Sequence, residues 1–492
     1  MVAPKFQSNV SSNTVRAIVA CGGAGRSKLV WIFPPMTSKL SAPAVSLSRR
    51  VFASGGSLVG MAAALGLSPA FAAPGDGFGQ AEWAQRFDSD ARLVVPRSTT
   101  PLLSPQTLAA TEAAIQRYQQ IVQQGGWQKI NGPTLKIGVR SQAVVALRER
   151  LMRSGDLDSQ AGMSPVFDSY VAAGVKRFQA RHGIGQTGVV GKETYAAMNI
   201  PADVRLRQLE TNIVRLRSFA QNLGRRFVTA NIPAAMVETV ENGEVMTHHA
   251  AGVGKIDRQS PVMQARVLDI NFNPYWTVPA SIIRKDLIPK MQADPNYLTD
   301  NKIRIFNKEN QELQPSQVNW NSMEAINYRF RQDPGGDFNS LGVVRINIAN
   351  PYGVYMHDTP AKGIFGDDYR FVSSGCMRIQ NVRDYVAWLL KETPGWDRDK
   401  IDQAIASGER VDAKLTEPVP VYWVYITGWA TPEGIVQFRD DIYQRDGLGA
   451  IAAYQAAPGG GDGHGGSAPQ PQPVRAQGGG GGRLQPMADD DE

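Results

Sequence analysis

The chain has 492 residues, with 52 Lys and Arg against 45 Asp and Glu, a formal charge of +7. That excess sits at one end: residues 1–72 hold seven basic residues and no acidic one, leaving 45 against 45 in the remainder. A near-neutral body of about 420 residues excludes a charge-driven nucleic-acid binder and is too long for one hydrophobic core, so two or more domains are expected.

Within 1–72, Ser48-Arg49-Arg50-Val51-Phe52 precedes a weakly apolar stretch from Leu58 to Leu67, and Ala70-Phe71-Ala72 follows. Basic region, apolar stretch and A-x-A site in that order describe an export signal, and the paired arginines resemble a twin-arginine one. Met36 stands where such a signal would begin, so it is the expected initiator, which would leave Cys21 untranslated. The expected location is the periplasm, with the membrane met only during export. Past Ala72 there is no apolar run of about twenty residues, so no spanning helix is predicted. Without Cys21, the other cysteine, Cys376, becomes the sole thiol. A lone thiol in an oxidising compartment is either a buried small residue or a reactive group.

In chain order, residues 73–130 read helical, with Leu103-Ser104-Pro105 as a start signal and Ala109–Val122 as the periodic stretch. Asn131-Gly132-Pro133 breaks the pattern. Residues 131–198 then give three short amphipathic helices with glycine stops: Val144, Leu147 and Leu151; Val171, Val175 and Phe178; Thr194, Tyr195 and Met198. A further helix in 199–226 carries Leu206, Leu209, Ile213 and Leu216, and with 73–130 makes a helical scaffold. Residues 227–446 are strand-rich: Phe227–Ile232, Ala234–Val240, Arg266–Phe272, Val343–Ile348, Val354–His357, and Val419–Thr427 with Gly434–Phe438 finishing the sheet. They are interrupted by a mixed, polar stretch, 281–340, with a helix near Ile282–Met291; this is a candidate lid. The fold class expected is therefore α+β and multidomain. Residues 457–492 are rich in Gly, Pro and Gln and are expected to be disordered. His248-His249 invites a metal reading, but no ligand pattern accompanies it, and a strand-end surface is the expectation. No metal or cofactor is expected.

Cys376 lies in Val372-Ser373-Ser374-Gly375-Cys376-Met377-Arg378, and His357 lies 19 residues upstream in Tyr355-Met356-His357-Asp358-Thr359-Pro360. A thiol beside glycine, with an imidazole in reach, suits nucleophilic acyl transfer. The imidazole takes the proton, the thiolate attacks a carbonyl, and backbone N–H groups hold the oxyanion. Gly375 and Cys376 supply candidate oxyanion donors, with Ser374 or Ser373 placed to hydrogen-bond near the thiol.

Tyr-x-His-Asp-Thr-Pro followed by Ser-Ser-Gly-Cys-x-Arg resembles the L,D-transpeptidases, in particular large exported members. Asn273-Pro274-x-Trp276-Thr277-Val278-Pro279, Leu341-Gly342-x-Val344-Arg345-x-Asn347 and Val436-Gln437-Phe438-Arg439-x-Asp441-x-Tyr443 extend the likeness, which runs from about Ala81 to Asp446. Residues 131–198 resemble a peptidoglycan-binding domain. The resemblance implies a mostly-β catalytic domain with Cys376 as nucleophile and His357 as base. It implies peptidoglycan stem peptides as donor and acceptor, a cysteine thioester, 3→3 cross-links, and a carbapenem adduct at Cys376. Arg378 would fix the loop through an ion pair or meet a substrate carboxylate; Tyr355 and Trp276 would line the groove or simply pack. Many family members carry histidine where Ser374 stands; the large exported ones carry serine. Trimming of the stem, attachment of a protein lysine, and a non-catalytic wall-binding scaffold remain alternatives.

Overall fold

The computed structural model describes residues 97–219 and 223–447; the export signal, the start of the helical scaffold and the 457–492 tail lie outside the described residues. Among the described residues no helix is long and apolar enough to cross a membrane.

Helix α1 (Pro105–Gln123) starts where Ser104, in extended conformation, accepts the Thr107 N–H and Pro105 takes the first turn. It packs against α5 (Ala202–Phe219), whose Leu209, Ile213 and Leu216 form one apolar stripe. Between them in sequence, α2 (Gln142–Ser154), α3 (Ser169–Arg181) and α4 (Lys192–Met198) enclose a separate core of Val144, Leu147, Leu151, Val171, Val175, Phe178 and Met198. Gly155, at φ +80°, caps α2 in the left-handed conformation. The buried Arg148 guanidinium replaces further apolar packing: it donates to the carbonyls of Ala161, Gly162 and Val166 and to Asp168, which itself caps α3. This small bundle is docked, not tethered. Arg181 makes a buried two-pronged pair with Asp156 (2.7 Å each) and donates to the Val436 carbonyl across the boundary.

The strand-rich half, from Arg226 onward, is a ring of strands. Strands β1 (Arg226–Asn231), β2 (Met236–Glu241), β3 (Glu244–Gly254), β4 (Met263–Phe272), β9 (Val344–Ile348), β10 (Met356–His357), β12 (Met377–Ile379) and β13 (Val411–Val424) run in the order β3-β12-β10-β9-β4-β13-β1-β2, and β2 pairs back onto β3. Closure removes the sheet edge. β11 (Phe371–Ser373) adds to the end of β3. The interior is filled from both sides of the ring by Val228, Val253, Ile270, Phe272, Ile346, Met356, Met377 and Trp423, with helix Val382–Leu390 laid against them.

Three expectations are corrected. Gly434–Phe438 does not finish the main sheet: β15 (Val436–Phe438) pairs only with β14 (Gly428–Ala430), and this ribbon packs on α1 and α5. Buried amides weld it there, Gln208 donating to the carbonyls of Thr427 and Arg439 and Asn212 exchanging hydrogen bonds with Thr427. His248-His249 is not a strand end: His249 lies mid-β3, 2 % exposed, between Thr247 Oγ1 and the Gln380 carbonyl. The polar stretch 281–340 is not merely polar. Strands β5 (Trp276–Thr277), β6 (Ile303–Phe306), β7 (Glu312–Leu313) and β8 (Arg329–Gln332) form a second sheet, ordered β5-β8-β6-β7. It shares a core with Ile283, Leu287, Ile288, Met291 and Leu298 from helical turns on one side. The insert is thus a subdomain with its own interior, entered through β5.

Candidate active site

β10 and β12 lie side by side in parallel, with Met356 opposite Met377 and His357 opposite Arg378. Side chains alternate across a strand. Met356 and Met377 point into the barrel core, so Tyr355, His357, Cys376 and Arg378 share the outer face. β9 on the far side sets Arg345 opposite His357 while Val344 and Ile346 face inward, so Arg345 joins that face. A one-residue slip would send the thiol and the imidazole into the core. The face is roofed by the insert, and the cleft between them, about 340 Å³, is lined by Cys376, His357, Arg378, Tyr355, Ser373, Ser374 and, from the insert, Trp276, Ile282 and Asp286.

The Cys376 sulfur is met by the Tyr355 backbone N–H and by the Tyr355 phenol, which in turn takes a hydrogen bond from Trp276. Cys376 keeps some solvent contact. Even so, burial pushes its thiol up to about 11, against the opposing pull of the Tyr355 hydrogen bonds, Arg345 and Arg378. His357 is 6 % exposed. Burial first, then the neighbouring Arg378 and Arg345, hold it down at about 3 despite a hydrogen bond to Asp358. The resting pair is therefore a neutral thiol and a neutral imidazole. Because the Asp358 carbonyl (2.5 Å) can only accept, Nδ1 carries the proton and Nε2 is the basic nitrogen. That carbonyl is the orienting group for His357 that the sequence left unassigned. The Asp358 carboxylate is pinned by the Val343 N–H and Lys362. Gly342, at φ +59°, passes so close that a Cβ there would lie 2.3 Å from Asp358 Oδ2.

The loop leading into Cys376 is held by its own hydroxyls. Gly375 adopts φ +117° and donates its N–H to Ser373 Oγ (3.1 Å); Ser373 donates to the Cys376 carbonyl (2.6 Å), and Ser260 to the Gly375 carbonyl (2.8 Å). This corrects the expected oxyanion pair: the Gly375 N–H is already committed. The Cys376 N–H makes no hydrogen bond among the described residues and stays available. Of the two serines placed near the thiol, Ser373 hydrogen-bonds to the backbone of Cys376 and Gly375 and so braces the loop, while Ser374 accepts from Arg258 (3.0 Å). Arg378 has no carboxylate partner among the described residues, and its Nε is buried without a hydrogen bond, so the ion-pair alternative falls away. Arg345, unassigned from sequence, stacks 4.5 Å from the Tyr355 ring centroid, and its Nε is likewise unmet. Among the described residues neither guanidinium has a carboxylate partner; Arg378 lines the cleft and Arg345 stands behind it against Tyr355. The signal for Arg345 was present in the alternation Val344-Arg345-Ile346-Asn347-Ile348. No group of three or more His, Cys, Asp or Glu that could hold a metal occurs among the described residues.

Residues 225–401 match the family described as L,D-transpeptidase catalytic domain, and residues 140–198 the one described as "Putative peptidoglycan binding domain". A Haemophilus influenzae protein named "Putative L,D-transpeptidase" is 32% identical over 241 residues, 49% of this chain and 48% of that protein. The chain thus spans about half the length of that curated relative. Among solved structures, an L,D-transpeptidase from Mycobacterium smegmatis is 16% identical, covering 41% of this chain and 58% of that one, with a TM-score of 0.21. One from Stackebrandtia nassauensis is 12% identical, covering 59% and 94%, with a TM-score of 0.24. Superpositions this poor add nothing to the assignment, which rests on the two family matches and on the sequence blocks around the cleft. Together these join an L,D-transpeptidase catalytic domain to a peptidoglycan-binding domain in one chain.

Proposed function

We propose that the protein is an exported, periplasmic L,D-transpeptidase that forms 3→3 peptidoglycan cross-links through a thioester on Cys376. One observation carries the reading: His357 ends β10, Cys376 immediately precedes its parallel neighbour β12, and both line a single roofed cleft. The reaction begins from the neutral pair. His357 Nε2 accepts the thiol proton as Sγ attacks the carbonyl of the third stem residue, so charge separation develops only when substrate is in place. The Tyr355 phenol and N–H steady the sulfur's negative charge, and the Cys376 N–H meets the oxyanion. The carbon–nitrogen bond to the terminal D-residue breaks, and the proton held by His357 leaves with its amine. A second stem's amine then attacks the thioester and passes a proton to His357; the carbon–sulfur bond breaks, and the departing thiolate takes that proton to restore the thiol. Arg345 and Arg378, lacking protein carboxylates, suit the carboxylates of such stems.

The reading is tested by incubating the purified protein, and its Cys376→Ala and His357→Ala variants, with disaccharide-tetrapeptide and identifying products by mass spectrometry. Cys376-dependent dimers linked 3→3 are expected, together with a carbapenem adduct on Cys376. Tripeptide alone would replace the reading with a carboxypeptidase, and transfer only to a protein lysine with a wall-attachment enzyme. No Cys376-dependent product would leave a wall-binding scaffold.

A further inference from the structure

Arg258 stands in the tight turn 254–260 that buttresses the nucleophile loop. The turn closes on itself so sharply that a Cβ on Gly254 would lie 2.3 Å from the Arg258 carbonyl. Tyr443 clamps it by donating to the Gly254 carbonyl (2.5 Å) and accepting the Ser260 N–H (3.2 Å), while the Lys255 N–H donates to the Ser373 carbonyl (2.9 Å). From this braced position the guanidinium reaches in two directions. Nη1 and Nη2 grip Asp286 of the insert at 2.5 and 3.0 Å, and Nη1 also donates to Ser374 Oγ at 3.0 Å. Asp286 sits in Ile283–Leu287, a single π-helical turn set between Ala280–Ile282 and Ile288–Ala293. Such turns interrupt a helix at a cost and occur often at functional sites. The side chain is 16% exposed on Arg258 and 30% on Asp286, so the pair lies partly shielded at the cleft.

We propose that Arg258 is a positioning residue that couples the insert to the nucleophile loop, holding Asp286 and Ser374 with one guanidinium so that the loop before Cys376 is set while the insert roofs the cleft. The inference rests on Cys376 as the reacting thiol, but not on which acceptor it serves. A lysine would present a point charge without the planar fork and could not keep both partners in this geometry. Arg258 touches neither the sulfur nor the imidazole; it acts through Ser374 and through the roof.

The test needs no wall substrate. The rate of Cys376 alkylation by iodoacetamide, followed by mass on its peptide, is measured in the full chain for Asp286→Asn, Ser374→Ala, Arg258→Ala and the combinations. Losing the grip on Asp286 opens the roof and rehydrates the thiol, so Asp286→Asn and Arg258→Ala are expected to react about fivefold faster than the parent, the size of a partly shielded charge-assisted contact. In the Arg258→Ala background, Asp286→Asn should add nothing, and Arg258→Lys should recover part of the parental rate. Should Arg258→Ala not fold, Asp286→Asn against Arg258→Lys gives the same comparison. Equal rates within twofold for parent, Asp286→Asn and Arg258→Ala, or full acceleration by Asp286→Asn when Arg258 is already gone, would overturn the coupling. A coupled thiol that never processes disaccharide-tetrapeptide would overturn the transpeptidase reading and leave the coupling standing.

Discussion

Replacing Tyr355 with Phe removes one hydroxyl and leaves the ring. The ring's contacts survive: the Arg345 guanidinium 4.5 Å from its centroid and the His357 imidazole, edge-on at 5.7 Å. What disappears is the phenol's hydrogen bond to the Cys376 sulfur, together with the one it takes from Trp276. A hydrogen bond to a charged acceptor contributes about 1.5–3 kcal/mol, and one pKa unit corresponds to about 1.4 kcal/mol. The thiol, already at about 11, should therefore be pushed up further. At fixed neutral pH the thiolate population falls roughly tenfold to a hundredfold. Iodoacetamide alkylation of the Cys376 peptide between about pH 6 and 9.5 reads this directly. The parent rate should climb about tenfold per pH unit with no plateau near neutrality, and the Tyr355→Phe line should run parallel below it. Equal rates for the two proteins would refute the role given to the phenol. A parent plateau below about pH 8 would refute the neutral resting pair, since it would report a thiolate–imidazolium pair already formed.

Gly342→Ala should lower the melting temperature by several degrees and cut turnover about tenfold, because the new Cβ must displace the Asp358 whose carbonyl orients His357; an unchanged melting temperature would refute this. Asp156→Ala leaves Arg181 buried without its partner and should cost about 3–5 kcal/mol in urea unfolding, and a loss below about 1 kcal/mol would show that Arg181 is solvated in the bundle. Acid should destabilise the fold already below about pH 6.5, through its buried histidines. His182, well below its ordinary range through burial and Arg181, and His357, at about 3, stay neutral when folded, while the unfolded chain takes up protons below about pH 6.5. Their contribution is intact above that pH and is lost as pH falls, at about 3 kcal/mol per unit for the two together. Glu238, raised to about 7, and His248, lowered to about 4, both mainly by burial, act with opposite signs and roughly cancel. Equal denaturation midpoints at pH 6.5 and 5.5 would contradict the neutral histidines.

The helical bundle was legible because glycine stops and helical spacing of Val144, Leu147 and Leu151 report a local property of the chain. The pair Cys376 and His357 was legible because both sit in dense motifs. The long strand β3 was not: Glu244-Val245-Met246-Thr247-His248-His249 mixes polar residues on both parities, and only its pairing with β2 on one stretch and with β12 and β11 on the next buries it. The insert's core was hidden because its apolar residues come from short elements, each too brief to show a period. Arg258 carried no sequence signal, since its partners stand 28 and 116 residues away. The Gly375 N–H misled for a related reason: a glycine beside a nucleophile suggests a free donor, and nothing local says that the hydroxyl two residues back has captured it.

The parallel pairing of β10 and β12 also explains why histidine and cysteine lie so far apart in sequence. Antiparallel neighbours can be joined by two residues, whereas parallel neighbours need a crossover of about a dozen or more. Here the return path leaves His357, makes the short helical turn Lys362–Gly366, pairs as β11 and re-enters at Cys376. The length of the interval is thus imposed by topology. Lengthening the loop at its exposed turn leaves the phase of both strands intact, while deleting one residue within either strand inverts it. The count between His357 and Cys376 is therefore free to vary, but not the parity of the residues that flank them.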